Sequence, residues 1–261
     1  MRKARPGFAC LQNRGRLKKT QLDIFLKKSY PFKMNIYLLF ALTFVPLLAV
    51  FLLFMILVPG QKIRYGLWAC ILGIFTVIPT ALVQHFVLNL PIFSEPTVIN
   101  LLVTAIVFNG LLEETFKMLF MALVPKKKLS IPAYFTCCLL AGLTLGCFES
   151  IIYLVKRLGE NTYQMEINEL YILLLSRTFT SVLVHTFCAG LGGLYLWLYK
   201  SKNAHILPFV WAVVLHGVYN FFAGFKTGFY WFAIIAVLFA ALECRIWYKF
   251  VTSLDSSLDK N

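Results

Sequence analysis

The chain has 261 residues, 60% of them hydrophobic and 16% aromatic, with a mean hydropathy of +0.77. A soluble globular domain is about 45–50% apolar, so this composition excludes one and places the chain in lipid. The net charge of +14 would suit nucleic acid, but Lys and Arg gather in the first 33 residues, in short connections and near the C-terminus. Membrane proteins keep their basic residues in such places, so no nucleic-acid partner is expected.

Residues 1–33 form a basic N-terminal arm with ten Lys or Arg against one acid, Asp23. The first apolar run begins at residue 34 and is long enough to remain as a span rather than a cleaved signal. Apolar runs of about 20 residues or more occupy about 34–58, 66–90, 99–124, 131–155, 171–199, 205–224 and 228–249. Backbone groups in lipid must pair internally, and Pro59-Gly60, Pro91 to Pro96 and Gly159-Glu160-Asn161 punctuate the runs, so the runs are helices. The predicted fold is all-α, a polytopic membrane helix bundle of about seven transmembrane helices. It comprises one domain over 34–250, followed by a polar tail over 251–261, with no internal repeat. Of the seven cysteines, all but Cys10 fall in apolar segments without metal-type spacing, which predicts buried free thiols.

Orientation divides the evidence. The arm argues for a cytoplasmic N-terminus. The connections argue the reverse: Lys62, Arg64, Lys126, Lys127, Lys128, Lys200 and Lys202 lie on the face opposite the N-terminus, against Lys156, Arg157 and Lys226 on its own face. Translation starting at Met34, directly before the first span, removes the conflict; a cytoplasmic arm lying on anionic lipid is the alternative.

A charge within a span costs at least about 2.5–3.5 kcal/mol on insertion scales, so each one needs a reason. The third span holds Glu113 and Glu114, both within reach of Lys117 on the same helix. One carboxylate can be held by the lysine while the other stays free to act. The fourth span carries Glu149 after Gly142 and Gly146, small residues that allow close helix approach. His185 lies near the middle of the fifth span, and His216 near the middle of the sixth, with Asn220 one turn later on the same face. At about 1.5 Å rise per residue these groups fall within a layer about 10 Å thick. Four helices thus bring reactive groups to one depth, which is what an active site in a membrane requires. Arg177, Thr178 and Ser181 lie near His185, but no nucleophile-elbow pattern surrounds any serine. No GxGxxG, P-loop or HExxH occurs. His85 and His205 lie near span ends, where interfacial placement explains them.

At these residues the chain closely resembles the PrsW family of intramembrane proteases, part of a wider clan with the CAAX prenyl endopeptidases. The correspondence lies in Glu113-Glu114-Thr115-Phe116-Lys117, in Leu145-Gly146-Cys147-Phe148-Glu149-Ser150, in His185 with its trailing glycines, and in Leu215-His216-Gly217-Val218-Tyr219-Asn220, across about residues 99–224. Ser150 stands where many relatives carry Asn, and Asn220 where some carry Asp. The resemblance implies cleavage of a membrane-anchored protein, typically an anti-sigma factor, near the outer face. This would be the first, site-1-type cut of a stress-signalling cascade in a bacterial cytoplasmic membrane.

The chemistry expected from these residues has Glu113 as general base on a water, Glu114 paired with Lys117, His216 and Asn220 donating to the developing oxyanion, and His185 and Glu149 orienting the water or the substrate carbonyl. Two histidines and two glutamates, Glu113, Glu149, His185 and His216, are also an acceptable zinc set. Both versions stand open, and the absence of HExxH favours the one without metal or other cofactor. The rival to an enzyme is a non-catalytic scaffold like the presenilin-associated subunit of gamma-secretase, which resembles this clan with a degraded double glutamate. A proton-coupled transporter would use the same carboxylates as a relay, but no broken-helix repeats accompany them. The retention of Glu113, Glu114 and Glu149 favours a peptide hydrolase.

Overall fold

With no water to pair the backbone, an apolar chain in lipid is left with helices, and a computed structural model shows helices and no strand among the described residues. Those residues are 36–88, 90, 97–160, 167–200, 205–225 and 228–258. The basic arm, Met34 and the segment Pro91 to Pro96 lie outside them. Contacts group the chain into Met1–Leu38 and Leu39–Asn261, and the packing below is that of the second unit.

Helix α1 spans Ile36–Leu57 and α2 spans Ile63–Leu88, joined by a turn in which Gly60 takes a φ of +77°. The third span, α3, covers Val98–Met121 in three parts: an α-helical start, a π-helical stretch over Thr104–Leu112 and an α-helical end over Glu113–Met121. A 3₁₀ turn over Lys126–Lys128 leads into α4, Ile131–Glu160. The fifth predicted span is two helices, α5 over Ile167–Phe179 and α6 over Ser181–Lys200. The break falls at Thr180, whose hydroxyl donates to the Ser176 carbonyl at 2.7 Å. Helix α7 covers Leu207–Ala223 and α8 covers Tyr230–Leu258, so α8 runs on into the region read as a polar tail.

Six of these spans are long and apolar enough to cross a membrane; α7, at 17 residues, is shorter. All seven predicted runs are therefore present as apolar helical segments. Large apolar side chains such as Leu48, Leu52, Phe86, Trp231 and Leu238 stay exposed, as lipid-facing residues do. Buried hydroxyls avoid desolvation by donating to the carbonyl one turn back, as Thr43, Thr76, Thr80, Thr144, Ser150 and Thr186 do at 2.6 to 3.0 Å. Cys137, Cys138, Cys147, Cys188 and Cys244 are buried free thiols, as expected.

Helices α4 and α6 form the centre. Helix α2 packs on α4, α7 and α8 pack on α6, and α3 lies against α2, α6 and α7. The α4–α6 contact is close because of glycine. A Cβ on Gly142 would lie 2.3 Å from the His185 carbonyl oxygen, and one on Gly146 would lie 2.8 Å from Val182 Cα. The backbone approach predicted from these two residues is thus what seats His185 beside α4.

Candidate active site

The π-helical stretch ends at Leu112, and the next residue is Glu113. A π stretch offsets the helical register, and such stretches are frequent at functional sites. Beyond it, Glu113, Glu114 and Lys117 all turn inward, with relative exposures of 6%, 2% and 2%. His185 comes from the start of α6 and His216 from the middle of α7, and both are buried.

Glu114 Oε1 accepts from Lys117 Nζ at 2.6 Å and lies 2.6 Å from His216 Nδ1. Glu113 Oε1 lies 3.3 Å from Lys117 Nζ, 2.9 Å from His185 Nδ1 and 3.9 Å from His216 Nε2. On the other edge of the His185 ring, Nε2 sits 2.7 Å from Glu149 Oε2. The two imidazoles meet edge to face, with centroids 4.8 Å apart. Each histidine thus turns one nitrogen to a carboxylate and the other towards Glu113.

The partners set the tautomers. Glu114, which already accepts from an ammonium, calls for a proton on His216 Nδ1, and Glu149 calls for one on His185 Nε2. Glu113 Oε1, His185 Nδ1 and His216 Nε2 are then three acceptors within 4.8 Å of one another. Lys117 Nζ faces His185 Nδ1 at 3.2 Å. His216 Nε2 is buried without a hydrogen-bond partner, and Glu113 Oε1 is buried beside the Lys117 ammonium. Converging buried acceptors of this kind suit a water or a cation, and one carboxylate oxygen with two imidazole nitrogens is a donor set for a zinc-type ion. A carboxylate behind each imidazole is the usual support for such ligands. The residues therefore fit a divalent metal. Glu149, named with this set from the sequence, stands behind His185 and outside the three-donor cluster.

Sequence reasoning passed over the group that holds Glu149. Arg177 Nη2 donates to Glu149 Oε2 at 2.8 Å and to Ser181 Oγ at 2.9 Å, and Ser181 Oγ donates to the same carboxylate oxygen at 2.9 Å. Arg177 Nε reaches Ser150 Oγ at 3.4 Å, and the guanidinium lies over the Tyr153 ring, 3.7 Å from its centroid. From the sequence, Arg177 and Ser181 stand only as neighbours of His185 in a stretch without a nucleophile elbow. The usable signal was a cation inside a span, which requires an acid on another helix.

Glu113, Glu149 and Asn220 line one cavity of about 190 Å³ together with Gln84, Asn109 and Tyr153. Gln84 Nε2 donates to Asn109 Oδ1 at 3.0 Å, joining α2 to the π-helical stretch at the cavity wall. The structure brings five of the six site residues expected from the sequence into one hydrogen-bonded and ion-paired group with Lys117, and Asn220 lines the same cavity as Glu113 and Glu149.

Among known proteins, the family described as PrsW family intramembrane metalloprotease matches residues 61–242, well over half of the chain and every site residue named above. No curated protein and no solved structure matches the chain.

Proposed function

From the premise that the chain belongs to the PrsW family of intramembrane metalloproteases, we propose that it hydrolyses a peptide bond of a membrane-anchored protein at the cluster of Glu113, His185 and His216. The observation that carries this reading is the convergence of three buried groups, Glu113 Oε1, His185 Nδ1 and His216 Nε2, within 4.8 Å of one another. His216 Nε2 has no hydrogen-bond partner, and leaving such an atom unsatisfied costs about 1–3 kcal/mol, a cost that a site for reacting groups recovers on binding.

Glu113 Oε1 takes the proton of a water as that water's oxygen attacks the scissile carbonyl carbon. Glu113 then returns the proton to the leaving nitrogen as the C–N bond breaks. Lys117 holds Glu113 in place, with Glu114 the closer of the lysine's two carboxylate partners. Asn220, on the same cavity, donates to the developing oxyanion; His216 Nε2 would add a second donor only in the site without a metal, where it can carry a proton. Glu149, fixed by Arg177 and Ser181, keeps the His185 ring turned towards Glu113. Gln84 and Asn109 offer amide partners to a substrate backbone that unwinds inside the membrane. A divalent ion held by Glu113, His185 and His216 would supply Lewis acidity and a lowered water pKa. The sequence favoured a metal-free site; the three converging acceptors and the family description favour a metal. The substrate reading, an anti-sigma-factor-like protein cut at a first site in a bacterial cytoplasmic membrane, follows from the family resemblance.

The test is cleavage of membrane-anchored candidate substrates by purified protein in liposomes, comparing wild type, Glu113→Gln, and wild type with a chelator. Glu113→Gln is expected to lose at least about 10²-fold in rate. Loss in the chelated wild type, restored by zinc, assigns a metal enzyme; full activity in Glu113→Gln refutes the reading.

A further inference from the structure

Besides Asn220, the reaction cavity carries two side-chain amides, Gln84 on α2 and Asn109 on the π-helical stretch of α3. Their orientation follows from their bonds. Gln84 Nε2 donates to the Phe108 carbonyl oxygen at 3.3 Å and to Asn109 Oδ1 at 3.0 Å. A backbone carbonyl only accepts, so the Gln84 atom facing it is the nitrogen, and the same nitrogen calls for the oxygen of Asn109. What remains is Gln84 Oε1, an acceptor, and Asn109 Nδ2, a donor. Neither makes a hydrogen bond among the described residues, and both stay accessible on residues that line the cavity. An acceptor and a donor side by side are what the edge of a β-strand presents. In an antiparallel pair they meet the N–H and C=O of a single facing residue.

We propose that Gln84 and Asn109 form a backbone clamp, which holds the N–H and C=O of one extended substrate residue beside the cut and admits any residue there except Pro. The proposal rests on the peptidase reading. A chain that crosses lipid as a helix pairs its backbone groups within itself, so a carbonyl becomes open to attack only where that pairing is broken. The freed N–H and C=O then need new partners, and the two amides supply them on the wall of the cavity that holds Glu113. The spacing suits a residue one or two places from the cut. Asn109 precedes Glu113 by four residues on α3, about one helical turn or 5 Å, and an extended chain advances about 3.3–3.6 Å per residue. A clamp on the backbone leaves the side chain unread. Pro alone has no N–H to give to Gln84 Oε1.

The experiment uses a synthetic membrane-anchored peptide substrate in liposomes. Backbone amides on either side of the cut are replaced by esters one at a time, with the scissile bond left as it is. Wild type is compared with Gln84→Met and Asn109→Leu. Asn109→Leu leaves Gln84 bonded to the Phe108 carbonyl, so the tie between α2 and α3 survives in that variant. Wild type is expected to lose about fivefold in kcat/KM at one ester position, the scale of one neutral hydrogen bond, and at least as much with Pro at that residue. Gln84→Met should cleave the all-amide substrate about fivefold more slowly and lose nothing further at that ester. Asn109→Leu should slow the all-amide substrate by a similar factor and stay sensitive to the ester, because it removes only the donor to the carbonyl. If no ester position matters, or the ester effect persists in Gln84→Met, the amides merely tie two helices together and the proposal is overturned. An all-amide rate unchanged in Asn109→Leu overturns it as well. Binding of fluorescent amide and ester peptides to Glu113→Gln separates the clamp from the peptidase reading. A preference for the amide peptide that Gln84→Met abolishes upholds the clamp even where wild type cleaves nothing, an outcome that removes the peptidase reading alone. Equal binding of the two peptides removes the clamp.

Discussion

Replacing Gly142 by Ala tests the close approach on which the site depends. The new Cβ would stand 2.3 Å from the His185 carbonyl oxygen, 2.6 Å from Ala189 Cβ and 2.9 Å from the His185 carbonyl carbon. Two of these are backbone atoms of His185 in the first turns of α6 and cannot swing aside as a side chain can. Ordinary contact therefore requires α4 and α6 to separate by about 1 Å, and overpacking of that kind costs about 1–3 kcal/mol. The same shift carries His185 away from Glu149, and a misplacement of about 1 Å lowers rates about 10²-fold. Gly192→Ala is the matched control on α6. Its Cβ meets only the flexible end of Met121, at 3.3 Å. Thermal unfolding in detergent and cleavage of a membrane-anchored substrate should both fall in Gly142→Ala and stay near wild type in Gly192→Ala. Equal stability and activity in the two variants would refute the reasoning.

Glu149→Gln should keep the fold while weakening the orientation of His185, lowering activity or metal affinity about 10- to 100-fold; cleavage rates and metal titration followed by calorimetry measure both. Lys117→Met leaves Glu113 and Glu114 buried without their cation and should destabilise the protein by about 3–5 kcal/mol. Adding Glu114→Gln should recover part of that loss in thermal unfolding, because the Glu114 bond to Lys117 is the shorter of the two.

Much of this arrangement is legible in the sequence for one physical reason: in lipid each ionisable group is costly enough to announce itself. Length and apolarity mark the spans, and Glu113, Glu114, Lys117, Glu149, His185 and His216 stand out against them. What stays hidden is angular. A run of apolar residues reads alike whether its hydrogen bonds are α or π, so Thr104–Leu112 gives no sign of its register. The break at Thr180 falls inside one apolar run, with no Pro or Gly beside it to mark it. Glu149 was set among the metal donors because depth along a helix can be counted from sequence, whereas the ring edge of His185 that it meets cannot. Arg177 was underread because it sits close in sequence to Ser181, while the partner that explains it is on α4.

The π-helical stretch also separates two jobs that one helix would otherwise have to share. Upstream of it, Val98 and Ile99 are 67% and 73% exposed and meet lipid; downstream, Glu113, Glu114 and Lys117 are enclosed. In an uninterrupted α-helix each residue adds about 100°, so any change in the lipid-facing part would fix the angle of the acidic part. The wider winding between them sets a different angle from the one an unbroken α-helix would give, so the outer end can face lipid while the acidic end faces inward. Removing a single residue between Thr104 and Leu112 would turn one part against the other by about 100°, bringing either the acids out towards lipid or the greasy end inwards.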